Sequence, residues 1–268
     1  MRDVRDVRGV RGVRGTGGAR DRRGGRTAAL TAAAVLVGAL ATGCSSGGDS
    51  GDGGDGGDGG GKAGGGTPAA QATAAVRTTQ TLAPDGTTVR VGSPSAKTVV
   101  HVYEDPRCPV CKDFETQGGG EALGELVRSG QVRVEYTLAS FLDARLGGQG
   151  SRKAANALRA ALDAGRFAEY HALLYAHQPE ESTDGYTDAF LLELASRVKG
   201  LRGKEFDAAV KGMKYRGFVT ASEHAFDTSG ATGTPTMKVD GKIVDQKLAR
   251  GIFDKQTLPL VIAAMSQP

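Results

Sequence analysis

Two cysteines two residues apart, Cys108-Pro109-Val110-Cys111, carry the clearest chemistry in this chain of 268 residues. A thiolate is the nucleophile of disulfide exchange, and a helix N-terminus stabilises it through unpaired N–H groups and the helix dipole. If a helix starts here, Cys108 at its exposed end is the better nucleophile. Cys111, one turn in, is placed to resolve a mixed disulfide. Zinc binding needs about four ligands, usually a second Cys pair or a Cys/His pair, and the only other cysteine is Cys44, far upstream. No metal is therefore expected. A purely structural disulfide closing so small a ring would constrain the unfolded chain little. Redox exchange is the leading reading. No Gly-rich phosphate motif with its strand, Lys and Ser/Thr is present, so no cofactor is expected.

The surrounding text supplies the elements that would position the pair. Thr98-Val99-Val100-His101-Val102-Tyr103 is β-branched and aromatic, a buried strand; Thr87 to Val91 reads as a short strand before it. Pro109 suits a first helical turn, where its missing N–H would be unpaired anyway. The helix breaks at Gly118-Gly119-Gly120 and resumes through Leu123, Leu126 and Val127, and Gln131 to Leu138 alternates as a second strand. Residues 151 to 227 are helical text: Ala154, Ala157, Leu158, Ala161 and Leu162 recur at helical spacing, as do Phe167, Tyr170, His171, Leu174 and Tyr175. Further helices fit Thr187 to Val198, Glu205 to Met213 and Tyr215 to Phe226. Met237-Lys238-Val239, the turn Asp240-Gly241 and Lys242-Ile243-Val244 read as a hairpin, and Thr257 to Met265 as a final helix. A βαβ unit, a helical insertion and a ββα unit make an α/β fold. His101 is expected to be a packed or surface histidine, and His171, His177 and His224 to pack on their helix faces.

The segment EDPRCPVC and, about 120 residues later, GATGTPTMKVDGKIV, separated by AANALRAALDAGRFAEYHALLYAHQ, resemble the DsbA-like branch of the thioredoxin superfamily. The resemblance covers roughly residues 85 to 266. It implies a thioredoxin fold with a helical insertion between the βαβ and ββα units, a catalytic Cys108/Cys111 pair, and a cis-proline, Pro235, facing it. Pro235 and the backbone of Thr234 would align the substrate by β-augmentation. Many members place a buried carboxylate six residues before the first cysteine. This chain has Val102 there, so proton transfer at Cys111 is expected to rely on water.

Composition divides the chain. Of its 42 glycines, 22 lie in the first 66 residues, a stretch without Trp, Phe or Tyr that cannot build a packed core. The net charge of +4 also comes from this end. Without the first 43 residues the balance is about −2, and a nucleic-acid partner loses its electrostatic support. Arg20, Arg22, Arg23 and Arg26 precede the apolar run Ala28 to Ala41, followed by Ala41-Thr42-Gly43-Cys44. That run spans about 21 Å as a helix, too short for a hydrocarbon core of roughly 30 Å. A positive start, an apolar middle and a small-residue cleavage site make a signal peptide. Its end resembles a bacterial lipobox, with Cys44 lipidated, although Ala41 stands where Leu is preferred.

The expected organisation is a signal peptide with lipobox over 1–43, a flexible Gly/Asp-rich linker over 44–76, and the folded domain over 77–268. The expected function is an enzyme, a thiol-disulfide oxidoreductase that forms disulfides in exported proteins through its Cys-Pro-Val-Cys site. It would be lipid-anchored at the extracytoplasmic face of the cell membrane and recharged by a membrane redox partner. The alternative is a thioredoxin-fold binding module, metal-handling or chaperone, without turnover.

Overall fold

A computed structural model describes residues 78–266. Its centre is β3 (Thr98–Glu104), whose Val100 and Val102 are fully buried, as an unbroken β-branched run predicts for a strand covered on both faces. β3 is flanked by β4 (Val132–Leu138), parallel to it, and by β5 (Thr236–Val239), antiparallel. β1 (Thr79–Leu82), β2 (Val89–Gly92) and β6 (Lys242–Ile243) complete a six-stranded sheet in the order β1-β2-β4-β3-β5-β6. The hairpin turn between β5 and β6 uses Asp240 at φ 48° and Gly241 at φ 82°, the two left-handed residues of a type I′ connection.

Between β3 and β4 run α1 (Pro109–Thr116) and α2 (Gly119–Arg128). The chain breaks where the glycines stand. Gly118 has φ 123°, and a side chain on Gly119 would collide with the Ile252 carbonyl and the Phe114 ring. Between β4 and β5 lies the helical insertion: α3 (Phe141–Leu146), α4 (Gly150–Asp163), α5 (Phe167–Ala176), α6 (Asp188–Ser196), α7 (Lys204–Lys211) and α8 (Arg216–Asp227). α9 (Gln246–Ala249), a 3₁₀ turn (Arg250–Phe253) and α10 (Leu258–Met265) close the chain.

The βαβ, insertion and ββα order is the thioredoxin arrangement that the sequence led us to expect. One core joins the sheet to the insertion: Val100, Val102, Val134, Leu158, Tyr170 and Leu191 belong to the same buried cluster. Besides α9 and the 3₁₀ turn, short pieces between the hairpin and the last helix that the sequence did not show, two elements differ from expectation. β1 precedes the strand read at Thr87–Val91; its residues are only partly buried, and TQTL carries little apolar signal. α3 stands where no helix was foreseen, six residues being too few to show a period.

Candidate active site

The Cys pair sits where β3 hands over to α1. Cys108 is the N-cap of α1 with Pro109 in its first turn, and its N–H donates to the Asp105 carbonyl at 2.9 Å. The loop before it is held by side chains on both sides. The Asp105 carboxylate accepts from the Arg107 N–H (2.9 Å), the Leu142 N–H (3.0 Å) and the Ser151 hydroxyl (2.5 Å). The buried Arg107 guanidinium reaches Asp143 at 3.0 Å, the Gly147 carbonyl at 2.8 Å and the Glu181 carbonyl at 2.9 Å. Gln178 donates through Nε2 to the carbonyls of Pro106 (2.8 Å) and Cys108 (2.9 Å). Every one of these clamps except the Asp105–Arg107 bond comes from the helical insertion. Sequence reasoning missed them, because polar residues in a loop and in helices 35 to 75 positions away carry no local sign of pairing.

The two thiols, both free, are unequal. Cys111 is fully buried, and Cys108 is 7% exposed, beside the half-exposed Val110. The Cys108 thiol donates to the Thr234 carbonyl at 3.3 Å, and the Thr234–Pro235 peptide bond is cis. The site thus brings Cys108, Cys111, Thr234 and Pro235 together from residues 126 positions apart. The Cys108 thiol is lowered from its ordinary value to about 6, chiefly by a hydrogen bond from Cys111. Burial opposes the shift; Thr234 and the N–H groups of Cys111 and Val110 add to it. The Thr234 hydroxyl is buried without a hydrogen-bond partner, so it can donate to a Cys108 thiolate at no cost elsewhere. Cys111 is raised well above the ordinary thiol range, first by burial and then by the neighbouring Cys108.

Val102 is buried and apolar, as its identity requires, yet the interior behind the thiols is rich in titratable groups. Glu104, fully buried on β3, lies 2.7 Å from His171 Nε2 on α5 and accepts from Tyr175 at 3.4 Å. His171 Nδ1 is 3.9 Å from Glu115, which sits one helical turn below Cys111 on the same face of α1. Burial pushes Glu104 up to about 8 and Glu115 well above the carboxylate range, while it pulls His171 down. Two buried acids, Glu104 and Glu115, thus stand behind the pair although Val102 occupies the position where many members of the resembled family carry a carboxylate. The helix-face packing expected for His171 holds, since the ring is buried among Tyr136, Phe167 and Tyr175, and it also hydrogen-bonds Glu104. Its helical spacing among Phe167, Tyr170 and Leu174 was the available signal: a histidine on a buried face needs a partner. Of the other histidines, His101 fits its reading and is hydrogen-bonded to Thr137 at 2.8 Å, whereas His177 and His224, expected to pack on their helix faces, are exposed.

Among the described residues, Glu104, Glu115 and His171 form the one group that could hold a metal ion. The two imidazole nitrogens face different carboxylates, which suits a chain of proton carriers better than a chelate. No helix among the described residues is long and apolar enough to cross a membrane. Cys44, the signal peptide and the linker lie outside the described residues.

Comparison with known proteins agrees with this geometry. Residues 84–255 match the family model described as thioredoxin. This chain belongs to the thioredoxin family. It is 23% identical over 156 residues to disulfide bond formation protein D of Bacillus subtilis, covering 58% of this chain and 68% of that one. The reduced form of a disulfide bond oxidoreductase, DsbG, from Mycobacterium tuberculosis is 26% identical, with a TM-score of 0.52 over 67% of this chain and 94% of that chain. Oxidised BdbD from Bacillus subtilis is 20% identical, with a TM-score of 0.56 over 71% and 97%, and shares the fold. The first two relatives are named a disulfide bond formation protein and a disulfide bond oxidoreductase, and this thioredoxin-family chain is a thiol-disulfide oxidoreductase.

Proposed function

We propose that this protein forms disulfides in exported proteins, working from the extracytoplasmic face of the membrane through the Cys108–Cys111 pair. The observation that carries this reading is the inequality of the two thiols. Cys108 is lowered to about 6 and Cys111 is raised well above the ordinary range. In the oxidised enzyme a substrate thiolate attacks Cys108 Sγ; the Cys108–Cys111 bond breaks, and its electron pair leaves on Cys111, which takes a proton. A second substrate thiolate then attacks the substrate sulfur of the mixed disulfide and releases Cys108 as a thiolate. The substrate is oxidised, the enzyme is left as a dithiol, and a membrane redox partner removes the two electrons. A leaving group that is a stable thiolate favours the reduced enzyme, which makes its disulfide the stronger oxidant.

Thr234 and Pro235 line the entry to Cys108, and an extended substrate would add its main chain to Thr234. Residues 1–43 act as a signal peptide, Cys44 carries the lipid, and residues 44–76 tether the domain above the membrane. Capture tests the reading. Cys111→Ser should accumulate exported proteins as mixed disulfides on Cys108, and the Cys108→Ser/Cys111→Ser double variant should capture none. Absence of adducts in the single variant overturns the assignment.

A further inference from the structure

We propose that a groove along α8, beginning beside the Cys108 site, selects substrate segments with acidic side chains a few residues from their reacting cysteine. This inference rests on the redox reading of Cys108 and Cys111 given above and adds the substrate class that the site prefers. Phe141, the first residue of α3, connects the two places. Its ring packs against the cluster of Cys108, Cys111, Leu142 and Tyr175 and stacks on Phe226 of α8 at 5.3 Å. The same residue lines a cavity of about 620 Å³. Arg216, Val219, Thr220, Glu223, His224 and Asp227 supply one wall of it. Their spacing of three and four puts them on one face of α8. Opposite stand Ala144 of α3, Gln149 at the N-cap of α4, and Arg152 in its first turn. Met213, a side chain that adapts to varied shapes, completes the lining.

Length and charge fix the occupant. The twelve residues of α8 span about 18 Å, the reach of about five or six extended residues at roughly 3.3 Å each. Crossing the Phe141 ring from Cys108 takes roughly two residues more. The end beside the thiols holds both signs, because Asp227 is the neighbour of Phe226 and Arg145 lies over the Phe141 ring at 4.6 Å. Glu223 is engaged by the Ser140 N–H and hydroxyl. The two guanidiniums are not engaged. The exposed Arg216 side chain has no hydrogen-bond or ion-pair partner among the described residues. Arg152 reaches only Asp143, at 4.0 Å, and that carboxylate is already held by Arg107 at 3.0 Å. A substrate carboxylate next to the cysteine would meet Asp227, whereas carboxylates farther along would meet Arg152 and Arg216. Side chains two residues apart share one face of an extended segment, so a pair of acids at that spacing can address both cations.

The test is a single turnover. Oxidised full-length protein, freed of other oxidants, is mixed with reduced peptides that bear two cysteines. The peptide passes two electrons to the Cys108–Cys111 bond: a disulfide forms in the peptide, and the enzyme is left as a dithiol. The peptides differ only at the positions four and six residues from the attacking cysteine, which hold Glu, Gln or Lys, in one series before it and in another after it. In one of the two series Glu should react about three- to tenfold faster than Gln at low salt, the range for two exposed ion pairs, and Lys more slowly than Gln. Salt at about 0.5 M should erase the difference. Arg152→Gln/Arg216→Gln should remove the preference for Glu, and Arg216→Glu alone should shift it toward Lys, a reversal that an unfolded variant would not give. Equal rates for Glu, Gln and Lys in both series, or a Glu preference that survives the double variant, overturn the proposal. Equal rates together with a wild-type mass that rises with concentration would assign the groove to a second copy of the chain. Failure of the wild type to oxidise any of the peptides would instead overturn the redox reading itself.

Discussion

The depressed Cys108 thiol has a kinetic signature that differs from simple high reactivity. A group at about 6 in place of the ordinary 9.0 is about 90% thiolate at pH 7, against about 1% for the ordinary thiol, a gain of roughly 90-fold. Nucleophilicity falls with basicity, with a slope of about 0.4–0.5, so the same shift costs roughly 15- to 30-fold in the rate of each thiolate. The net advantage at pH 7 is then only about three- to sixfold, and it reverses above about pH 7.5–7.8, as the ordinary thiol begins to ionise. The measurement is iodoacetamide alkylation of the Cys111→Ser variant, read by mass on the Cys108 peptide from pH 4 to 10, beside a free cysteine peptide. Serine keeps a donor to Cys108; Cys111→Ala removes the largest cause of the shift, and its midpoint should lie higher. A midpoint near 6 with a low plateau is expected. A midpoint at 8.5 or above refutes the electrostatic account, as does a rate above the reference at every pH. The shift also stabilises the reduced state increasingly as pH rises through 6. At pH 7 this amounts to about tenfold, or roughly 30 mV in the oxidising direction for a two-electron couple, and it vanishes below the lowered pKa.

Two further outcomes follow from residues outside the Cys108–Cys111 pair. Arg107→Met severs a buried ion pair at 3.0 Å with Asp143 and two carbonyl bonds. It should cost about 3–5 kcal/mol in urea unfolding, and a loss below about 1 kcal/mol would show that the clamp is dispensable. Cys44→Ala should move the protein out of the membrane fraction and abolish incorporation of labelled fatty acid; equal retention without label in both forms would rule out the anchor.

Much of the site could be read from the chain itself, for local reasons. Pro109 marks the helix start that places Cys108 at its tip, the glycines at 118–120 mark the break after α1, and Asp240-Gly241 marks the hairpin beyond Pro235. Each is a backbone constraint written into one or two residues. The buried acids were not legible in that way. Glu104 continues a β-branched strand as though it emerged into solvent, and nothing within ten residues signals His171, 67 positions on. The same holds for Arg107 and Gln178. Pairings between polar groups depend on which helix the fold lays over which strand, and single-sequence periodicity does not encode that. β1 escaped for the opposite reason: it is a half-buried edge strand without an apolar run.

The contact between the Cys108 thiol and the Thr234 carbonyl bridges 126 residues, and this has a bearing on biogenesis. A chain emerging N-terminus first presents both cysteines long before β5 exists to pair with β3. During that interval Cys108 lacks the Thr234 hydroxyl, and its loop lacks the grip of Gln178. Such distant pairings form late because loop closure must be paid for first. The nascent chain therefore carries an unfinished site, and the contacts from Gln178 and Thr234 are added only when the insertion and the last strands dock. Completion of the polypeptide finishes a site whose largest influence on Cys108, the neighbouring Cys111, is present from the start.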